Sequence, residues 1–203
     1  FAIDYLNSRQ IGIFKEFFRY SPSEKKIYIF NLDSTGKNAV GFQISRFTGP
    51  NKYISFNLEK LREKCGLSSL PLEKKDKLNR LSLYFGILRA DFSQKVTIFE
   101  GFIDSLFIRN SIAITGIKKS LEELNGLNFR FMFDNDKDGI EASIKLLKKR
   151  KSIFMWSKAL KEYGLESTIK DLNEMVINAK TRNKEIKEID RYFTKDPNDL
   201  IYL

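Results

Sequence analysis

The spacing of apolar residues changes character along this chain, and the change falls near residue 90. Over residues 1–20, Phe1, Ile3, Tyr5, Leu6, Ile11, Ile13, Phe14, Phe17 and Phe18 recur at helical spacing, and Ser21-Pro22-Ser23 ends the segment. Lys26 to Phe30 and Ala39 to Ser45 read as strands. Turn chemistry from Asn31 to Asn38 joins them, so residues 26–46 are predicted to form a hairpin. A loop at Thr48-Gly49-Pro50-Asn51 leads to a short strand over 52–55. Helices are predicted over 57–65 and 72–90, parted by Gly66 to Pro71. From residue 95 strands and helices alternate. Strands over 95–99, 111–115, 129–133 and 152–156 precede helices over 102–109, 117–124, 138–150 and 157–163. That alternation predicts an α/β fold, a parallel sheet flanked by helices. The last forty residues are polar and read as helical, with Asp171-Leu172-Asn173-Glu174 opening one helix. Three parts follow: a small basic α+β subdomain over 1–90, an α/β domain over 91–178 and a C-terminal helical segment over 179–203.

Two of the predicted strands end in acids. Val96-Thr97-Ile98-Phe99 runs into Glu100-Gly101-Phe102-Ile103-Asp104, and Phe129 to Phe133 runs into Asp134-Asn135-Asp136. Parallel strands end together, and ligands of open α/β sheets bind at their carboxyl ends. Glu100, Asp134 and Asp136 are therefore expected on one edge of the sheet. Carboxylates so crowded repel unless cations neutralise them, and oxygen-only clusters suit Mg²⁺ or Mn²⁺. Metal-dependent phosphoryl transfer is the chemistry these residues point to.

Composition narrows the choices. There is no His and a single Cys65 in 203 residues, which removes Ser-His and Cys-His triads and any Cys- or His-rich zinc site in this segment. Cys65 reads as a helix packing residue. The proportions, 42% hydrophobic and 31% charged, are those of an ordinary globular chain, and no apolar run approaches a membrane span, so no membrane partner is expected. The net charge is +10. Residues 1–88 hold 15 Lys/Arg against 8 Asp/Glu, and residues 89–203 hold 21 against 18. The first part is thus the more basic, the footprint of a polyanion partner. The Lys145 and Lys148–Lys151 cluster reads as a solvated helix C-terminus favoured by the helix dipole.

Bland readings cover only part of the pattern. Asp136 or Asp138 could serve as a helix N-cap, and Asp138-Gly139 as a turn. An EF-hand fails, because Lys145 stands where the loop needs a bidentate Glu and a strand precedes the loop. A phosphatase of the strand-end Asp-x-Asp kind leaves Glu100 unexplained. None of these accounts for two acidic strand ends together.

Glu100-Gly101-Phe102-Ile103-Asp104 followed by Asp134-Asn135-Asp136-Lys137-Asp138-Gly139 resembles the Toprim domain of bacterial-type primases, topoisomerases and OLD-type nucleases. Four further segments are similar to bacterial-type (DnaG-like) primases. They are the hairpin with Val40 to Arg46, Lys52-Tyr53-Ile54-Ser55, Leu83-Tyr84-Phe85-Gly86-Ile87, and Lys170-Asp171-Leu172-Asn173-Glu174. Order and spacing agree across residues 26–175. The resemblance implies a Toprim-type sheet preceded by the basic subdomain of a primase core, from a phage or prophage. It implies DNA-templated synthesis of short RNA primers by nucleotidyl transfer during replication. A Toprim-type DNA nuclease and a catalytically silent single-strand-binding module are the alternatives.

By the same resemblance, Glu100, Asp134 and Asp136 are the catalytic metal-holding acids for two or more Mg²⁺ or Mn²⁺ ions. Asp104 and Asp171 line the same site, and Asn173 stands where many relatives carry Asp. Lys195-Asp196-Pro197-Asn198 also resembles the Lys-Asp element, but lies too far along the chain from Asp136. Arg46, Lys52 and Arg80 match positions that face template or nucleotide, and Lys137 joins them from within the second acidic motif. Phe42, Phe47 and Tyr53 are candidates for stacking on bases, with core packing favoured for Phe42. Single-stranded DNA and ribonucleoside triphosphates are the expected partners, in the cytoplasm of a bacterial or phage-infected cell. A zinc-binding domain and a region contacting a replicative helicase are expected outside this segment.

Overall fold

The computed structural model describes residues 2–46, 53–114 and 128–203, with the side chain of Arg46 outside that set. The predicted helix at 117–124, the loop at 48–51, Phe47 and Lys52 lie outside the described residues. The chain divides into two compact units, Phe1–Ala90 and Asp91–Leu203. Among the described residues no helix is long and apolar enough to cross a membrane.

The first unit is a four-stranded antiparallel sheet in the order β1-β2-β3-β4, with β1 Phe18–Ser21, β2 Lys26–Leu32, β3 Ala39–Arg46 and β4 Tyr53–Phe56. The β2–β3 hairpin pairs Lys26 with Arg46 and Phe30 with Phe42. Asp33 shapes its turn by accepting hydrogen bonds from Thr35 and Asn38. Helices α1 Ala2–Ser8, α2 Leu58–Lys64 and α3 Leu72–Ser82 complete the unit, and Asn57 caps α2 by accepting from the Lys60 amide.

Three expectations need correction here. The helical spacing over 1–20 yields only α1 and a 3₁₀ turn over Gly12–Phe17, after which the chain becomes edge strand β1. Four residues with Phe18 buried and Arg19 and Tyr20 exposed are too few for periodicity to register. The helix expected to run to residue 90 stops at Ser82. Buried Asn31 draws the next segment away from a helical path: its Nδ2 donates to the Ser82 and Tyr84 carbonyls, and its Oδ1 accepts from the Gly86 amide. Cys65 is exposed at the C-cap of α2 and packs no helix.

The second unit is a five-stranded, mostly parallel sheet in the order β6-β5-β7-β8-β9. Its strands are β5 Val96–Phe99, β6 Ser111–Ala113, β7 Phe129–Met132, β8 Ser152–Phe154 and the antiparallel edge strand β9 Phe193–Thr194. Every residue of β5 and β7 is buried, as parallel strands with neighbours on both sides require. The helices are α4 Phe102–Ser105, α5 Lys137–Lys148, α6 Trp156–Tyr163 and α7 Leu172–Thr181. Helix α4 is a single turn, shorter than expected.

The tail over 179–203 is not the helical segment its polarity suggests. It contains the end of α7, two 3₁₀ turns and β9, which adds the fifth strand. Arg130, buried inside β7, fastens it: Nε donates to Thr97 Oγ1 at 2.8 Å, the guanidinium lies 4.4 Å from the Phe193 ring, and it pairs with Asp190. The Met155 amide donates to the Tyr192 carbonyl, 2.8 Å away.

Candidate functional site

The chain leaves β5 toward β6 and leaves β7 toward β8, so the strand order reverses between β5 and β7. A crevice opens at such a reversal, outside the carboxyl ends of the strands. Phe99 pairs with Met132 in the register, so Glu100 leaves β5 beside the segment that carries Phe133 and Asp134. Neighbouring strands lie about 4.8 Å apart, which sets the two acidic strand ends next to one another.

Both motif glycines are required by close approach. A Cβ on Gly139 would stand 2.0 Å from the Asp134 carbonyl oxygen, so the first turn of α5 folds directly onto the end of β7. A Cβ on Gly101 would stand 2.9 Å from Asp104 Oδ2. The bare Cα makes room for that carboxylate.

Three of the acids are oriented by backbone amides. Asp136 caps α5, accepting from the Gly139 amide at 2.9 Å, and Asp171 caps α7, accepting from the Glu174 amide at 2.6 Å. Buried Asp104 accepts from the Asn173 amide at 2.9 Å, which ties α4 to the start of α7. Asn135 closes the ring: its amide donates to the Lys170 carbonyl at 2.6 Å and its Nδ2 to the Ile169 carbonyl at 2.8 Å. Trp156 Nε1 donates to the Phe133 carbonyl at 2.8 Å and holds the end of β7 from beneath.

These contacts bring five carboxylates within one another's fields. Half-buried Asp134 is pushed up from the ordinary 3.8 to about 8, first by burial, then by the negative charges of Asp104, Glu100, Asp171 and Asp136 in that order. Carboxylate oxygens gathered in this way fit a hard divalent cation by charge and donor chemistry. Among the described residues, however, no three His, Cys, Asp or Glu side chains are already set around one ion position.

No protein-family model matches the chain, and no curated protein matches it. Its fold is similar to a crystal structure of the Aquifex aeolicus primase, comprising zinc-binding and RNA polymerase domains, at 16% identity and a TM-score of 0.42. The likeness covers 94% of this chain and 53% of that one, so the chain spans about half of that structure.

The other sequence-derived site residues lie as follows. Lys137 is exposed at the first position of α5. Arg80 is exposed in the last turn of α3, in the first unit. Arg46 pairs with Lys26 at the end of β3, and Lys52 is outside the described residues. Phe42 is buried and stacked on Phe56 at 4.6 Å, the packing role favoured for it, while exposed Tyr53 meets the Tyr5 hydroxyl at 3.2 Å. Asp196 caps the 3₁₀ turn over Pro197–Tyr202, whereas the charge of Asp171 acts on Asp134. Asn173 is fully buried and reaches the cluster through its main chain. Asn135 was missed as a site-building residue; its position between two acids was the available signal.

Proposed function

We propose that this chain is a primase-type catalytic core that makes short RNA primers on single-stranded DNA from ribonucleoside triphosphates. The observation that carries this reading is the set of five carboxylates at the β5/β7 crossover, where burial and then the four neighbouring charges push Asp134 to about 8. The order of primase-like segments across residues 26–175 supports the choice of primase among Toprim-type activities. Glu100, Asp134 and Asp136 would hold Mg²⁺ or Mn²⁺, with Asp104 and Asp171 adding negative charge. Bound divalent ions would supply charge neutralisation at the attacking and leaving oxygens of nucleotidyl transfer. Asp136 and Asp171 take fixed directions from their capping bonds, and Gly101 leaves space for Asp104. Exposed Lys137 would offer a cation to triphosphate or template phosphates, and the resemblance makes Arg46, Lys52 and Arg80 further candidates for phosphate contact. A helicase would be engaged through regions outside this chain.

The test is a gel assay with single-stranded DNA, labelled ribonucleotides and Mg²⁺ or Mn²⁺, comparing wild type with Asp134→Asn and Asp136→Asn. Asn is itself a good N-cap, so Asp136→Asn keeps the start of α5. Template-dependent short RNA from wild type alone is the expected result. Metal-dependent nicking without nucleotides would transfer the site to a nuclease, and strand binding without chemistry in either metal would make the chain a silent binding module.

A further inference from the structure

The acidic crossover occupies one edge of the second unit's sheet, and the opposite edge carries the reverse charge. The residues that lead into β6, β5, β7 and β8 include Arg109, Lys95, Asn128 and Arg150, in sheet order, so all four sit at the amino end of the sheet. Two bonds hold this end of β5 to its neighbours: the Val96 amide donates to the Asn128 carbonyl and the Thr97 amide to the Asn110 carbonyl, both at 3.1 Å. All four residues are exposed. Four strands at about 4.8 Å make this end of the sheet roughly 15 Å wide, and the cations form a row across it. Lys148 and Lys149, exposed at the end of α5, lead into it. Among the described residues, none of these five cations forms an ion pair. Asp91, the nearest acid in sequence to Lys95, is engaged by Ser93 and Gln94.

Arg150 is informative by its backbone. Its amide donates to the Leu147 carbonyl and that of Lys151 to the Leu146 carbonyl, the paired bonds of a Schellman motif. Its φ is +56°, the left-handed position that glycine fills at least cost. An arginine therefore stands here at a position whose backbone favours glycine. A helix dipole accounts for lysines near the end of α5 but not for Lys95 and Arg109, which belong to other elements.

We propose that this amino-terminal sheet edge is a second polyanion-docking surface that takes the phosphate backbone of nucleic acid. Glu100 lies five residues beyond Lys95, about 17 Å along the strand. The cations and the acids thus stand at opposite ends of β5, apart from one another. Protein partners need apolar anchors. The exposed aromatic beside this edge, Phe92, is turned edge-on to Phe129 at 6.4 Å. A charged row of this kind suits sequence-independent phosphate contact.

The experiment measures fluorescence anisotropy of the whole chain with a labelled duplex and a labelled single strand, in EDTA, across a salt series. Lys95→Gln/Arg109→Gln/Arg150→Gly removes the row while easing the left-handed turn. Lys158→Gln/Lys161→Gln/Lys195→Gln removes equal charge from exposed positions elsewhere on the same unit. The row variant is expected to lose about tenfold or more in affinity at low salt. Its slope of log K against log salt should become shallower by ~2.7 on duplex or ~2 on single strand, and the larger loss identifies the strand form that docks. The control variant should keep the wild-type slope. Equal slopes for all three proteins, or an equal loss in the control, would overturn the assignment. So would poly-glutamate competing as well as duplex at equal charge. If the row variant fails to unfold cooperatively, Lys148→Gln/Lys149→Gln on the exposed helix end replaces it with the same criteria. Without metal or nucleotide the result is independent of primer synthesis, and Asp134→Asn is expected to bind with the wild-type slope.

Discussion

Replacing Asp134 with Asn should stabilise the metal-free protein, the reverse of what loss of a half-buried polar group usually does. The folded protein holds the Asp134 proton far more tightly than the unfolded chain, at about 8 against 3.8. An acid so raised contributes no penalty below the unfolded value. Stability then falls as pH rises from about 4 and levels off above about 8. At ~1.4 kcal/mol for each tenfold in proton affinity, the ceiling on this cost is ~6 kcal/mol. Solvent screening and relaxation of a half-buried cluster reduce it, and ~2 kcal/mol at pH 8.5 is the expected gain. With a urea slope of ~2 kcal/mol/M for a unit of this size, the midpoint should rise by ~1 M. The single Trp156 lies in the second unit and donates to the Phe133 carbonyl next to Asp134, so its fluorescence reports this transition. The gain should shrink as pH is lowered from 8.5 toward 5.5. A variant no more stable than wild type at pH 8.5, or an advantage that ignores pH, would refute the burial and charge crowding that hold the Asp134 proton.

Gly139→Ala should cost ~3 kcal/mol or more, because its Cβ would stand 2.0 Å from the Asp134 carbonyl oxygen; chemical denaturation checks this. Gly101→Ala meets only a side-chain carboxylate at 2.9 Å, so stability should change by ~1 kcal/mol or less while metal-dependent synthesis falls sharply. Asn135→Ala removes the tie to the Ile169 carbonyl and should cost ~1 kcal/mol, read by faster hydrogen exchange around Lys170 to Asp171. Asp190→Ala leaves the buried Arg130 guanidinium without its carboxylate and should cost ~2 kcal/mol, with protection of the Met155 amide lost first.

Much was legible in the chain. The hairpin at 26–46, strands β5, β7 and β8, helices α5 and α6, and the helix starts at Asp136 and Asp171 all rest on information within a few residues, because side-chain period and capping chemistry are local. So is the placing of acids at two strand ends. Elements too short to show a period, β1 and β9, were not legible, nor was the early end of α3, which Asn31 imposes from fifty residues away.

By itself the sequence determined that two apolar runs end in acids followed by glycines, and which residues those are. Tertiary structure alone decided which acids share a field. Sheet order sets β5 beside β7, the Asn173 amide draws Asp104 to α7, and Asn135 draws the Asp171 segment to Asp134. It likewise gathered Arg109, Lys95 and Arg150, which are far apart in the chain, at one end of the sheet through strand order. The physical reason is the same in both cases. Local patterns report whether a residue is buried and in which conformation, whereas strand order and hydrogen bonds between distant segments arise only when whole faces pack, and electrostatic crowding depends on those distances.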